Sequence, residues 1–175
     1  DRCIRFYPIV SSAVYYAELP NNSDELNISP FDFENKAIWD HNGWHVAVGF
    51  ASAEQYQNNT ITVDSISAAK TNDNNQAGNL FQLTLSSPII TSSPGKRLYL
   101  YHDQISYCQL GNTIVRKVNN SDGVLMATNI VEFMPKVQAA GLNSSAIALI
   151  GIKFSDPKTN EVANYNHSVQ VLNVL

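Results

Sequence analysis

The residues of this chain that could do chemistry are few and scattered over 175 positions. His41 and His45 stand four apart, a spacing that on a helix puts both imidazoles on one face as metal ligands. Asn42-Gly43 lies between them and signals a tight turn with positive φ, so a turn is expected there rather than a helix. No third ligand stands nearby, and a closed zinc site needs four. His102-Asp103 is adjacent in sequence, but neighbours on a strand point to opposite faces, so this pair is not a base held by its own acid. There is no nucleophile elbow of the G-x-S-x-G kind, and the 8 glycines are dispersed rather than gathered into a phosphate loop. Asn119, Asn120, Ser121 and Asp122 offer oxygens as a calcium site does, but the full calcium-loop pattern is absent and a plain turn is expected. Paired carboxylates of the glycosidase kind are set by three-dimensional separation, and the 15 Asp and Glu residues form no aromatic-rich cleft motif. No catalytic residue, cofactor site or metal site is assigned, and the chain is expected not to be an enzyme.

Cys3 and Cys108 are the only cysteines. They form no C-x-x-C pair, so neither a thioredoxin-type site nor a zinc knuckle is suggested. Either they are two unrelated buried thiols, or they close one disulfide across 105 residues. The disulfide is the expectation adopted, because it would tie down an end of the chain that otherwise frays. A loop of that length is worth roughly 4 to 5 kcal/mol in the chain-entropy model, and the bond implies an oxidising compartment.

Composition narrows the partners. Charged residues make up 15% of the chain against a typical value of about 25%, and Asn, Ser, Thr and Gln supply the polarity instead. The net charge is -4, and the cations are scattered apart from Lys96-Arg97 and Arg116-Lys117. Nucleic acid is therefore not an expected partner, since phosphate neutralisation needs clustered cations. No run approaches the roughly 18 apolar residues of a membrane helix; the best, Ala146 to Phe154, carries Lys153 and reads as a buried strand. The chain opens at Asp1 with neither methionine nor signal segment, as a processed mature form or a trimmed piece would. Sequons at Asn21, Asn27, Asn58, Asn119, Asn143 and Asn166 are what a chain rich in Asn, Ser and Thr generates by chance.

The elements that must position these residues read as strands. Segments 3–10, 14–19, 44–50, 60–67, 80–85, 98–102, 106–110, 113–118, 146–154 and 162–174 are rich in β-formers, and turn signals recur about every ten residues. Lys36 to Asp40 is expected to form a hairpin with Trp44 to Phe50, and Leu98 to His102 to pair with 106–110 or 113–118. Gly111-Asn112 should join the latter two. Thr71 to Gly78 reads as a polar loop, while periodicity leaves Leu125 to Phe133 open between strand and helix. Tyr99 and Tyr101 share one face of a strand. One domain spanning residues 1–175 is expected, mostly antiparallel β.

Ser106-Tyr107-Cys108, the basic Arg116, the strand-like IALIGIKF and the closing VQVLNV together resemble the C-terminal half of minor pilins and pseudopilins, in particular a biogenesis protein of mannose-sensitive hemagglutinin (MSHA) pili. CIRFYPIVSSAVYYAELP is similar to the segment that follows the pilin helix in that family. The leader, the apolar N-terminal helix and its glutamate are not in this sequence. The resemblance implies an α+β, predominantly antiparallel β, pilin-like head with two β-sheets and a truncated N-terminal helix. It implies a periplasmic or cell-surface place, inner-membrane anchoring of the full-length protein before assembly, and a non-enzymatic role in filament initiation or a tip complex. The partners it implies are other minor pilins or pseudopilins, with no small-molecule substrate. Two alternatives stay open: a type II secretion minor pseudopilin, and a secreted or viral glycan- or receptor-binding β-domain.

Overall fold

Period-two alternation runs through the chain, and in the computed structural model it becomes thirteen strands and one short α-helix among the described residues, 2–32, 37–68, 80–138 and 146–171. The chain divides into two compact units. One is drawn from Asp1–Phe6 with Asp103–Val174, and the other from Tyr7–His102.

The Tyr7–His102 unit is built on β2 (Ile9–Tyr15), β3 (Glu25–Pro30), β4 (His45–Val48), β5 (Val63–Ala68), β6 (Phe81–Leu85) and β7 (Arg97–Tyr101), with the helix α1 (Ala53–Gln57) between β4 and β5. The strands form one antiparallel sheet in the order β4-β7-β2-β3-β6-β5. Its end strands meet. His45 bridges Thr62, Val46 N–H donates to the Ile61 carbonyl at 3.0 Å, and Val63 N–H donates to the Trp44 carbonyl at 2.8 Å. One face of the curled sheet gathers Ala13, Tyr15, Leu26, Ile28, Val46, Val48, Val63, Phe81, Leu83, Leu85, Leu98 and Leu100, all buried. The register puts these residues side by side, as in Val46 opposite Leu100, Leu98 opposite Ala13, and Leu26 opposite Leu83. Trp39 is also buried in this core, and its indole N–H donates to Ser11 Oγ at 3.0 Å, which satisfies the one polar atom the ring carries.

The other unit holds two sheets. β1 (Cys3–Phe6), β8 (Ile105–Leu110), β9 (Thr113–Val118) and β10 (Val124–Ala127) form one, in the order β1-β8-β9-β10. β11 (Ile130–Gln138), β12 (Ala146–Ser155) and β13 (Val162–Val171) form the other, in chain order. Ile114, Ile130 and Phe133 are its buried core, with Ile4, Tyr107, Ala127, Ile150, Ile152 and Phe154 packed around them. Gln109 joins the two sheets. Its Oε1 accepts the Phe133 N–H at 2.9 Å, and its Nε2 donates to the Val131 carbonyl at 3.3 Å, beside the point where the β11–β12 register shifts.

This architecture corrects the fold expectation. The described residues form three antiparallel sheets with a single five-residue α-helix in mid-chain, not an α+β pilin-like head with two β-sheets and a truncated N-terminal helix. The reason is local: the first described residues alternate and carry Pro8 between β1 and β2, a pattern that makes strands rather than a helix. Two pairings also differ. Ala37 to Trp39 is a 3-10 turn, so β4 finds its partner in β7 instead. β7 pairs with β2 and β4, while β8 pairs with β1 and β9. The ambiguous 125–133 segment resolves into β10 and the start of β11. The two-residue Gly111-Asn112 turn stands where it was expected, with Leu110 opposite Thr113 and Gly111 at φ +59°. The polar loop read at 71–78 lies outside the described residues.

Candidate functional site: an uncharged sheet edge and an aromatic–histidine cluster

Cys3 and Cys108 form the expected disulfide. They are direct cross-strand partners in the β1–β8 pair, which is the placement that lets two Cβ atoms meet. The bond ties the first strand to a sheet made from residues a hundred positions later. Ser106, Tyr107 and Cys108 thus lie on a strand fixed on both sides, by β1 and by β9. Arg116 stands opposite Tyr107 on β9. Of the closing Val169–Val174 element, residues through Val171 lie on β13, and 172–175 are outside the described residues.

The sheet β11-β12-β13 gathers apolar side chains on one face and mixes polar with apolar ones on the other. Cross-strand partners share a face. Ile130, Phe133, Pro135 and Val137 therefore align with Phe154, Ile152, Ile150 and Ala148, and these align with Ala163, Tyr165, His167 and Val169. One end of this apolar face lies in the unit's core at Ile130 and Phe133. The other end is open: Val137 is 68% exposed, Tyr165 52% and Val169 43%. The opposite face carries Glu132, Lys136, Lys153, Asn164, Asn166, Ser168 and Gln170, with Met134, Ile147 and Leu149 among them. Strand β13 is exposed along 162–170 and contains no Asp, Glu, Lys or Arg in its ten residues. Beside the β12–β13 turn an open cavity of about 860 Å³ touches Asp156, Lys158 and Glu161. Asp156 is occupied there, its Oδ1 accepting the Lys158 N–H at 2.7 Å to shape the turn.

The other unit concentrates rings. Tyr101 is wholly buried on the outer side of β7, with Tyr7, Tyr56 and His45 around it at centroid distances of 5.5, 5.1 and 5.3 Å. Its hydroxyl accepts from Asn59 Nδ2 at 2.8 Å and donates to the Tyr56 carbonyl at 3.0 Å. Burial is the main reason its phenol is pushed up to about 12. Burial raises Tyr56 in the same way, and it lowers His45, where the charge of His102 adds to the effect and a hydrogen bond to the Ile61 backbone opposes it. Tyr56 is carried by α1, which starts at a capping box. Ser52 Oγ accepts the Gln55 N–H, and Gln55 Oε1 accepts the Ser52 N–H at 3.0 Å.

The residues singled out in the sequence take separate places. His41 stacks on Trp44 at 4.3 Å, and so does His102 at 5.4 Å, while His45 stacks on Tyr101. Among the described residues no group of three or more His, Cys, Asp or Glu side chains is placed to hold a metal ion. Asp103 accepts from Asn119 Nδ2 at 2.7 Å, so it and His102 have different partners. In the 119–122 turn, Asn119 Oδ1 accepts the Gln104 N–H at 2.8 Å and Ser121 Oγ accepts the Val118 N–H at 3.3 Å. Tyr99 and Tyr101 do share a face, opposite Ala47 and His45 of β4. Asn143 lies outside the described residues. Sequence reading missed the Tyr101–Asn59–Tyr56 node, which joins the 56–59 segment to β7 more than forty residues later and leaves no local signal. It also passed over the β13 edge, whose uncharged run of ten residues was there to be read.

Among the described residues no helix is long and apolar enough to cross a membrane. Compared with known proteins, the chain matches no family model, no curated protein and no solved structure.

Proposed function

We propose that this chain is a non-enzymatic assembly protein of the minor pilin and pseudopilin kind, working in the periplasm or at the cell surface through contacts with other minor pilins. One observation carries the reading. The elements that resemble the family, Ser106-Tyr107-Cys108, Arg116 and Val169, belong to one compact unit that also leaves large apolar side chains in solvent. Val124, Leu125 and Met126 of β10 are 60%, 58% and 51% exposed, next to a sheet whose apolar face is itself partly open. Exposed apolar surface rimmed by polar residues is how an assembly subunit meets its neighbours. The disulfide fits a compartment that keeps thiols oxidised. The reading rests on these elements and this surface, not on a pilin fold. An MSHA-type pilus is the system the resemblance favours, ahead of a type II secretion pseudopilus. The full-length protein is then anchored in the inner membrane before assembly.

The test has two parts. In the complete reading frame, a prepilin cleavage site and an apolar helix should precede Asp1. In the source cell, the tagged full-length protein should co-purify with minor pilins encoded beside it, and Leu125→Asp with Met126→Asp should abolish that. A reading frame without the cleavage site and helix, or a pilus population unchanged by deletion of the gene, sinks the proposal.

A further inference from the structure

We propose that strand β13 pairs with β13 of a second copy of this chain, antiparallel about a two-fold axis at His167, so that two three-stranded sheets join into one of six strands. This goes beyond the assembly reading and stands without it.

The edge is open in the direction a new strand needs. The Asp156 N–H donates to the Glu161 carbonyl at 2.9 Å, and this sets the phase of the β12–β13 ladder. Antiparallel strands alternate their hydrogen-bonding direction residue by residue. Ala163, Tyr165, His167 and Val169 therefore turn their backbone groups toward β12. Val162, Asn164, Asn166, Ser168 and Gln170 turn theirs outward.

The edge also lacks the devices that keep sheets apart. Natural edges are blunted by charge, proline, bulges or shortness. β11, at the other side of the same sheet, has Glu132, Pro135, Lys136 and a register shift between Ile130 and Glu132. β10 is four residues long and has a register shift of its own. β13 has none of these: its ten residues are uncharged, contain no proline, and pair with β12 in an unbroken register.

Its own copy is the partner the side chains fit. About an axis at His167, Tyr165 comes opposite Val169 on the apolar face. Asn166 comes opposite Ser168 and Asn164 opposite Gln170 on the polar face. On both faces β13 meets its own kind, and a strand without Asp, Glu, Lys or Arg sets no permanent like charges against each other. Tyr165 and Val169, 52% and 43% exposed, then cover one another, and the apolar face continues past them to Val137.

The test uses the full chain with its native disulfide intact. Sedimentation equilibrium should show a reversible monomer–dimer exchange. His167→Lys places two ammonium groups across the axis, and His167→Glu two carboxylates. Each alone should weaken dimerisation by at least about tenfold, since like charges directly opposite are repulsive. An equimolar mixture should restore it as a heterodimer. His167→Cys, the only free thiol in an otherwise bonded chain, should oxidise to a covalent dimer, and Lys158→Cys in the exposed β12–β13 turn should not. Circular dichroism should be unchanged throughout, because His167 is exposed. A chain that stays monomeric overturns the proposal. So does a dimer that ignores the lysine and glutamate variants, or a mixture that fails to associate.

Discussion

Tyr101 and Asn59, 42 residues apart, are held together by a 2.8 Å hydrogen bond from the Asn59 amide to the Tyr101 hydroxyl. Asn59 also donates to the Val46 carbonyl at 2.9 Å and accepts the Ile61 N–H at 3.1 Å. One side chain thus links β4, β7 and the segment that closes the sheet. Tyr101→Phe keeps the ring packing but leaves the Tyr56 carbonyl and one Asn59 N–H without their partner. We expect a loss of about 1 to 3 kcal/mol in urea unfolding. Asn59→Ala, which takes a partner from the Val46 carbonyl, the Tyr101 hydroxyl and the Ile61 N–H at once, should cost more. Equal losses in the two variants would show that the hydroxyl alone matters.

The same node makes one contribution to stability that is lost at alkaline pH. Tyr101 keeps its proton in the folded chain to about 12, whereas an unfolded tyrosine releases it near 10. Between those values the folded state binds more protons than the unfolded one, so stability falls as pH rises. The contribution is complete below pH 10 and is lost on passing through 12. Urea unfolding at pH 9 and 11 should show that decline, and Tyr101→Phe should flatten it. An absorbance titration of tyrosinate should find Tyr101 among the last to ionise.

The Cys3–Cys108 bond predicts that denatured, unreduced protein takes up no thiol reagent. Reduction, or Cys3→Ser with Cys108→Ser, should lower stability by about 2 to 5 kcal/mol. Loss of only the Cys3–Phe6 strand from amide protection, with the rest unchanged, would place the effect at the β1 edge.

Gly49 and Gly43 both have positive φ, +66° and +85°. A Cβ at Gly43 meets nothing, whereas one at Gly49 runs into the Ser92 carbonyl oxygen. Gly43→Ala should therefore cost only the left-handed strain, about 1 kcal/mol. Gly49→Ala should cost that plus displacement of the 92–93 backbone, about 3 kcal/mol or more. Similar values from thermal unfolding would show that the 92–93 segment yields freely.

What could be read in advance was local. The strands at 60–67, 80–85, 113–118 and 146–154, the Gly111-Asn112 hairpin and the disulfide all follow from alternation, a two-residue turn and a count of cysteines. Partner choice did not follow. The RLYLY segment alternates correctly for any neighbour, and only the packing of Leu98 and Leu100 against Ala13, Val46 and Val48 selects β2 and β4 over the nearer β8. Lys36 to Asp40 looked like a hairpin arm because Asn42-Gly43 follows it. Trp39 is instead drawn into the core and Ala37–Trp39 coils as a 3-10 turn. The expected helix came from likeness to a family, and nothing in the alternation of the first ten residues could have formed it.

Tyr7–His102 leaves one compact unit after Phe6 and returns to it at Asp103, and the bond between Cys3 and Cys108 spans both crossings. Everything between those two cysteines is thereby a covalent ring. A protease that cuts once inside the ring opens it without releasing a fragment, so the nicked chain keeps its full mass until it is reduced. The chain's second unit lies wholly within that closed loop, and a single break in its backbone detaches nothing.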